Sequence, residues 1–195
     1  MRRIIKSLLL FVAMLALSIG QANAQRCLPG MKSVQFTADM ADGFYSKASR
    51  NDAGFAFGLS VSTYTKRGNQ WKFGAEIMQR YYPYRSTRIP LAQYTGEGGY
   101  YCNVFSDPKK TFFLNIGGSA LMGYESVNSG KKLLSDGAIL RKSESFIYGG
   151  ALTLEAEAYL SDKVVLLVRL RERVLWGSTA NNFHCQYGLG VKFIL

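Results

Sequence analysis

Apolar and polar side chains alternate along almost the whole of this chain. The alternation runs through residues 34–40, 55–61, 71–77, 94–102, 112–122, 146–154, 164–170 and 187–195. Phe55, Phe57, Leu59 and Val61 are separated by Ala56, Gly58 and Ser60, and Trp71, Phe73, Ala75 and Ile77 by Lys72, Gly74 and Glu76. In an extended strand successive side chains point to opposite faces, so each run reads as a strand with one apolar face. No helical stripe lies between the runs, and no internal repeat is visible. The reading is therefore all-β with eight strands. The four prolines, Pro29, Pro83, Pro90 and Pro108, are expected outside strand interiors, where their missing N–H breaks no ladder.

The first 24 residues read as an export label. Arg2, Arg3 and Lys6 form a positive start, residues 8–19 form an apolar run too short to span a bilayer as a helix, and Ala22-Asn23-Ala24 supplies a small-x-small cleavage site. The mature chain is expected to begin at Gln25, with residues 25–195 as one domain. Losing the label lowers the net charge from +11 to +8. A lipoprotein is not expected, because Cys27 is not the first mature residue. A hydrophobic content of 48% excludes disorder, and the lack of a later long apolar run excludes a helical membrane protein. One histidine and three cysteines argue against a His/Cys metal centre. The odd cysteine count leaves at least one thiol unpaired in a monomer. Cys102 and Cys185 read as small apolar residues within strands. Whether Cys27 pairs with Cys102 is open; both belong near one end of the strands and Cys185 near the other.

The links between strands carry the topology. Short links lie at residues 66–69, 106–110 and 161–163, and long ones at 41–53, 83–90, 126–145 and 176–182. Short and long alternate, which in an up-and-down antiparallel barrel puts short turns at one end and long loops at the other, as in outer-membrane barrels. Three features favour an apolar face turned outward to lipid. Charge lies deep within the polar face, at Glu76, Arg80, Glu97, Glu155, Glu157, Arg169, Arg171 and Arg173; glutamates and arginines there can pair across a narrow lumen. The same face is rich in small residues. Aromatics gather at strand ends, with Phe44, Tyr45, Tyr81, Tyr82, Tyr84, Tyr124, Tyr148 and Trp176 near the long loops and Trp71, Tyr100, Tyr101, Phe105, Phe112 and Phe113 near the short turns, as in two interfacial girdles. The sequence stops at the end of an amphipathic strand, residues 187–195, as outer-membrane proteins often do, with the usual final aromatic displaced to Phe193. The expected fold is thus an eight-stranded antiparallel up-and-down transmembrane β-barrel of outer-membrane type, after a cleaved signal peptide. A soluble periplasmic ligand-binding barrel, with the apolar face inward, is the alternative.

Several stretches carry a family resemblance: Arg26-Cys27-Leu28-Pro29-Gly30; Ser62-Thr63-Tyr64-Thr65-Lys66 followed by Trp71-Lys72-Phe73-Gly74-Ala75-Glu76; Tyr82-Pro83-Tyr84; and Glu97-Gly98-Gly99-Tyr100-Tyr101. They continue with Ser106-Asp107-Pro108-Lys109-Lys110-Thr111-Phe112-Phe113, Gly149-Gly150-Ala151-Leu152-Thr153-Leu154-Glu155, Arg171-Glu172-Arg173-Val174-Leu175-Trp176-Gly177-Ser178, and the closing strand. Together they cover the mature chain in order, and they resemble the conjugative transposon protein TraO family. The resemblance implies a role in the mating apparatus that moves a conjugative element between cells, with other envelope proteins of that apparatus as partners. It implies no catalytic residues and no cofactor.

An eight-stranded barrel is filled by its own side chains, so single-stranded DNA is not expected to pass through one copy. The basic residues divide between the ends: Lys47, Arg50, Arg85, Arg88, Lys131, Lys132, Arg141 and Lys142 in long loops, and Lys66, Arg67, Lys109, Lys110 and Lys163 in short turns. Without one continuous basic groove, specific nucleic-acid binding is not expected; anionic lipid or lipopolysaccharide head groups fit better, and plainly solvated loops fit as well. An acyltransferase- or lipase-like barrel is the enzymatic alternative. His184 is its single imidazole, with Ser178 and Asn181 near in sequence, but no Gly-x-Ser-x-Gly elbow is present.

Overall fold

The computed structural model describes residues 26–42, 54–84, 87–132, 139, 143–179 and 182–195. Each alternating run forms a strand: β1 (Lys32–Ala41), β2 (Gly54–Tyr64), β3 (Gln70–Tyr84), β4 (Thr87–Ser106), β5 (Phe112–Val127), β6 (Glu144–Tyr159), β7 (Val164–Trp176) and β8 (Phe183–Ile194). Each pairs antiparallel with the next, and β8 pairs with β1, so the sheet closes into a barrel. Following paired residues once round the wall, from Met31 beside Tyr64 through Gln70, Tyr101, Gly117, Thr153, Arg171 and Gln186, ends at Ala41, ten residues further along the chain. A stagger of this kind tilts the strands by roughly 40° and leaves an interior that side chains can fill.

The faces are decided by burial. Phe57, Leu152 and Leu189 are 64%, 67% and 66% exposed, whereas Arg171 and Glu155 are 1% and 0% exposed. This is the reverse of a water-soluble barrel and matches a wall that contacts hydrocarbon. The lumen is layered. At the short-turn end Tyr64, Phe113, Tyr159, Val165 and Ile194 pack together with Cys27 and Met31. Nearer the other end Ala41, Ala56, Met78, Leu91 and Val127 pack together. Charged side chains fill the space between.

Residues 26–31 form the floor. The Gly30 N–H donates to the Tyr64 carbonyl at 2.8 Å. The Arg26 guanidinium donates to the Lys110 carbonyl at 3.0 Å, bridges to Asp162 at 3.3 Å and stacks 5.0 Å from the centre of the Tyr159 ring. None of the three cysteines is in a disulfide. Cys27 turns inward, with its sulfur 3.2 Å from the Tyr159 hydroxyl, and Cys102 is exposed on the outer wall, so the two do not pair. Burial raises the pKa of the Cys27 thiol above its ordinary value.

Three expectations need correction. Pro83 and Pro90 lie within β3 and β4, not outside strands. The ladder explains why. Pairing of β2 with β3 begins at Gln79 and pairing of β4 with β5 at Leu91, while β3 and β4 pair with each other up to Tyr84↔Thr87. Both prolines therefore sit in a two-stranded extension whose outer sides face no strand, where an absent N–H costs no ladder bond. The link over residues 83–90 is consequently not a long loop, for only residues 85–86 separate the strands, and the strict alternation of link lengths fails there. Finally, Tyr101 and Phe113 are not girdle residues. They point into the lumen and are 1% and 6% exposed, and Tyr82 is half-buried beneath Arg80. Trp71, Phe105 and Phe112 at one end, and Tyr81, Tyr124, Tyr148 and Trp176 at the other, do face outward. Phe44 and Tyr45 lie outside the described residues, as do Lys47, Arg50, Arg85, Arg141, Lys142 and Asn181.

Candidate functional site in the lumen

A strand with arginine at every second position sends all of them to one face. Arg169, Arg171 and Arg173 on β7 accordingly project inward, and each is 3% exposed or less. Across the lumen, Glu76 on β3 receives all three. Its Oε2 accepts from Arg169 at 2.9 Å and Arg171 at 3.0 Å, and its Oε1 from Arg173 at 2.9 Å and Gln186 at 2.8 Å. Asp39 on β1 pairs with Arg169, and Glu97 on β4 with Arg171. Arg171 Nε also donates to Thr153 at 3.0 Å. One carboxylate shared among three guanidiniums would leave excess positive charge; Asp39 and Glu97 balance it.

Nearer the floor, Lys72 donates to Glu155 at 2.6 Å and Gln35 at 3.0 Å, and sits 4.1 Å from the centre of the Tyr101 ring. Below it, Lys192 pairs with Glu157, which also accepts from Asn115 at 2.9 Å and Gln70 at 3.3 Å. Towards the long loops, Asp42 takes Arg80 and the His184 Nδ1, the latter at 2.7 Å. Glu125 accepts from Gln93, Ser178 and Thr179.

All eight residues singled out from the sequence lie in the lumen. Glu76, Glu97, Arg169, Arg171 and Arg173 form one connected group. Glu155, Glu157 and Arg80 lie at other levels and pair with Lys72, Lys192 and Asp42. Sequence reasoning did not draw Asp39, Asp42, Lys72, Glu125, His184 and Lys192 into the network. For Asp39, Lys72 and Lys192 the signal was present, since each occupies the polar register of its strand. Asp42 follows the end of β1 and turns inward with φ 59°, a left-handed conformation that alternation does not foretell.

Every carboxylate is an acceptor already engaged. His184 is fully buried, its Nδ1 meets Asp42, and its Nε2 has no partner among the described residues, while the Ser178 hydroxyl donates to Glu125 at 2.6 Å. A nucleophile activated by that imidazole requires a bond between the two groups, and none is formed. Among the described residues no group of three or more His, Cys, Asp or Glu side chains is placed to hold a metal.

The model of the conjugative transposon protein TraO family matches residues 28–195. Among functionally curated proteins, none matches the sequence. Among solved structures, the fold is similar to Neisserial surface protein A, with 17% identity and a TM-score of 0.53 over 83% of this chain and 96% of that one. It is also similar to Ail, the attachment invasion locus protein of Yersinia pestis, solved with the heparin analogue sucrose octasulfate, with 11% identity and a TM-score of 0.55 over 86% of this chain and all of that one.

Proposed function

Because the chain belongs to the TraO family of conjugative transposon proteins, we propose that it is a non-enzymatic outer-membrane component of the mating apparatus, serving as an anchor or assembly part and not as the DNA conduit. The observation that carries this reading is the filled lumen. Charged pairs at successive levels occupy the cross-section, and the floor of Cys27, Tyr64, Phe113 and Tyr159 lies beneath them. A duct for a polyanion needs a wide basic channel, and this interior is narrow, with its positive charge neutralised in place. The lipid-facing exterior supports an outer-membrane location. Arg88, Lys131 and Lys132 are exposed at the long-loop end, where they suit anionic head groups of lipid or lipopolysaccharide. The partners in this reading are other envelope proteins of the apparatus.

Deletion of the gene from the element, followed by complementation, tests the proposal. Transfer frequency is expected to collapse on deletion and to return with the intact chain. It is also expected to return with Ser178→Ala and with His184→Gln, because neither acts chemically. The protein is expected in the outer-membrane fraction, with heat-modifiable gel mobility. Undiminished transfer without the chain, or recovery in the soluble periplasmic fraction, would refute the reading.

A further inference from the structure

Glu172 lies between Arg171 and Arg173 on β7, so the alternation that turns those arginines inward turns its side chain to the outer wall. Its paired neighbours are Leu152 on β6 and Cys185 on β8. Trp176 of the aromatic belt stands four residues above it, and Val164 begins the strand eight residues below. At about 3.3 Å per residue along a strand tilted by roughly 40°, Glu172 lies about 10 Å inside the apolar band. Among the described residues it is the one charged side chain so placed: Lys32 and Glu144 begin their strands at the edges, and Arg88 lies in the extension above the barrel. It has no hydrogen bond or ion pair with any described residue, unlike the arginines on either side of it.

The surface around it is shaped as well as charged. Ile116, Leu152, Leu154, Leu170 and Cys185 line a shallow groove with Glu172 in its wall. Beside the groove, Gly98, Ala120, Gly150 and Val174 are paired in a row across four strands, all on the outward register. A Cβ at Gly118 would meet nothing within 4 Å, and one at Gly150 only the Ser119 carbonyl at 3.4 Å, whereas one at inward Gly149 would lie 1.9 Å from the Val174 carbonyl. Packing demands inward Gly149 but neither Gly118 nor Gly150, while a Cβ at Gly98 would crowd the Phe73 ring at 3.2 Å. The outward glycines leave a flat shelf on which another backbone can come close within a membrane.

We propose that the outer face of β5–β7 around Glu172 docks a membrane-inserted segment of another envelope protein, one that brings a lysine or arginine to the Glu172 carboxylate. The inference rests on the reading of the chain as a mating-apparatus component. A carboxylate facing hydrocarbon is costly unless paired, and head groups lie too far above for it to reach. A second copy of this chain offers no cation at this depth among its described residues, so the charge calls for a different protein.

The test places a photoreactive benzoylphenylalanine at Leu152 in donor cells that carry the whole element. The expected product is an adduct with a protein other than this chain, mapped to a membrane-inserted segment that contains a lysine or arginine. Glu172→Leu is expected to lower both adduct yield and transfer at least tenfold, and Glu172→Gln to lower them less, with heat-modifiable mobility retained in both. Reversing the charge of the mapped basic residue should abolish the adduct, and Glu172→Lys in the same cell should restore it. An adduct with a second copy, the absence of a protein adduct, or wild-type adduct and transfer with Glu172→Leu would overturn the proposal. Full transfer by Glu172→Leu in a system where deletion abolishes transfer defeats the docking inference alone; transfer that survives deletion defeats the functional reading beneath it.

Discussion

Arg171 and Glu172 are adjacent in the chain and opposite in fate. Arg171, 1% exposed, meets Glu76, Glu97 and Thr153 within the lumen. Glu172 stands on the outer wall with no hydrogen bond or ion pair among the described residues. The barrel pairs its interior charges with one another, and among the described residues Glu172 alone stands within the apolar band without a partner. Removing a charge inside breaks a compensated set; removing the one outside relieves a cost.

The comparison breaks most readily at Glu76. Glu76→Ala leaves Arg169, Arg171 and Arg173 without their shared acceptor, and a broken buried pair costs about 3–5 kcal/mol. Urea unfolding in lipid vesicles is expected to show a loss of that size or failure to assemble, and an unchanged midpoint would contradict the network. Lys72→Met is expected to cost about 3 kcal/mol through stranded Glu155, whereas Lys72→Met with Glu155→Leu should return to within about 1 kcal/mol of the parent, since a pair replaced by apolar groups is often neutral. Additive losses in that cycle would show that the pair does not act as a unit. Glu172→Leu should move the other way. The isolated barrel is expected to gain roughly 1–2 kcal/mol, as an acidic group on the lipid face costs less than a basic one but still costs, and a loss of stability would place the carboxylate in an unseen structural role. The smallest effect lies in the floor. A pKa raised by burial means that the neutral thiol of Cys27 persists to higher pH than an ordinary one. Maleimide labelling of the folded protein should therefore lag that of the urea-unfolded chain near pH 8 and catch up only as pH rises further; equal rates near pH 8 would mean an open floor.

Much of this was legible in the sequence, because a period of two is a local property. The apolar register at Phe57, Leu59, Phe73 and Leu152 and the polar register at Glu76, Arg171 and Glu155 follow from alternation alone, and a closed barrel follows from eight such strands with turn-like links. Partner choice was not legible. That Glu76 gathers three arginines while Arg80 goes to Asp42 depends on stagger round the wall, which no single strand encodes. The aromatic reading failed at Tyr101 and Phe113 for a related reason: nearness to a strand end says nothing of side, and both occupy the inward register. The prolines misled because a proline bars a strand only where a neighbour needs its N–H, and β3 and β4 outrun their neighbours.

The lumen is filled and its charge neutralised at successive levels. Single-channel recording of the purified protein in planar bilayers tests this most directly. A quiet baseline is expected from the parent barrel, while large, stable conductance steps from a single copy would contradict it.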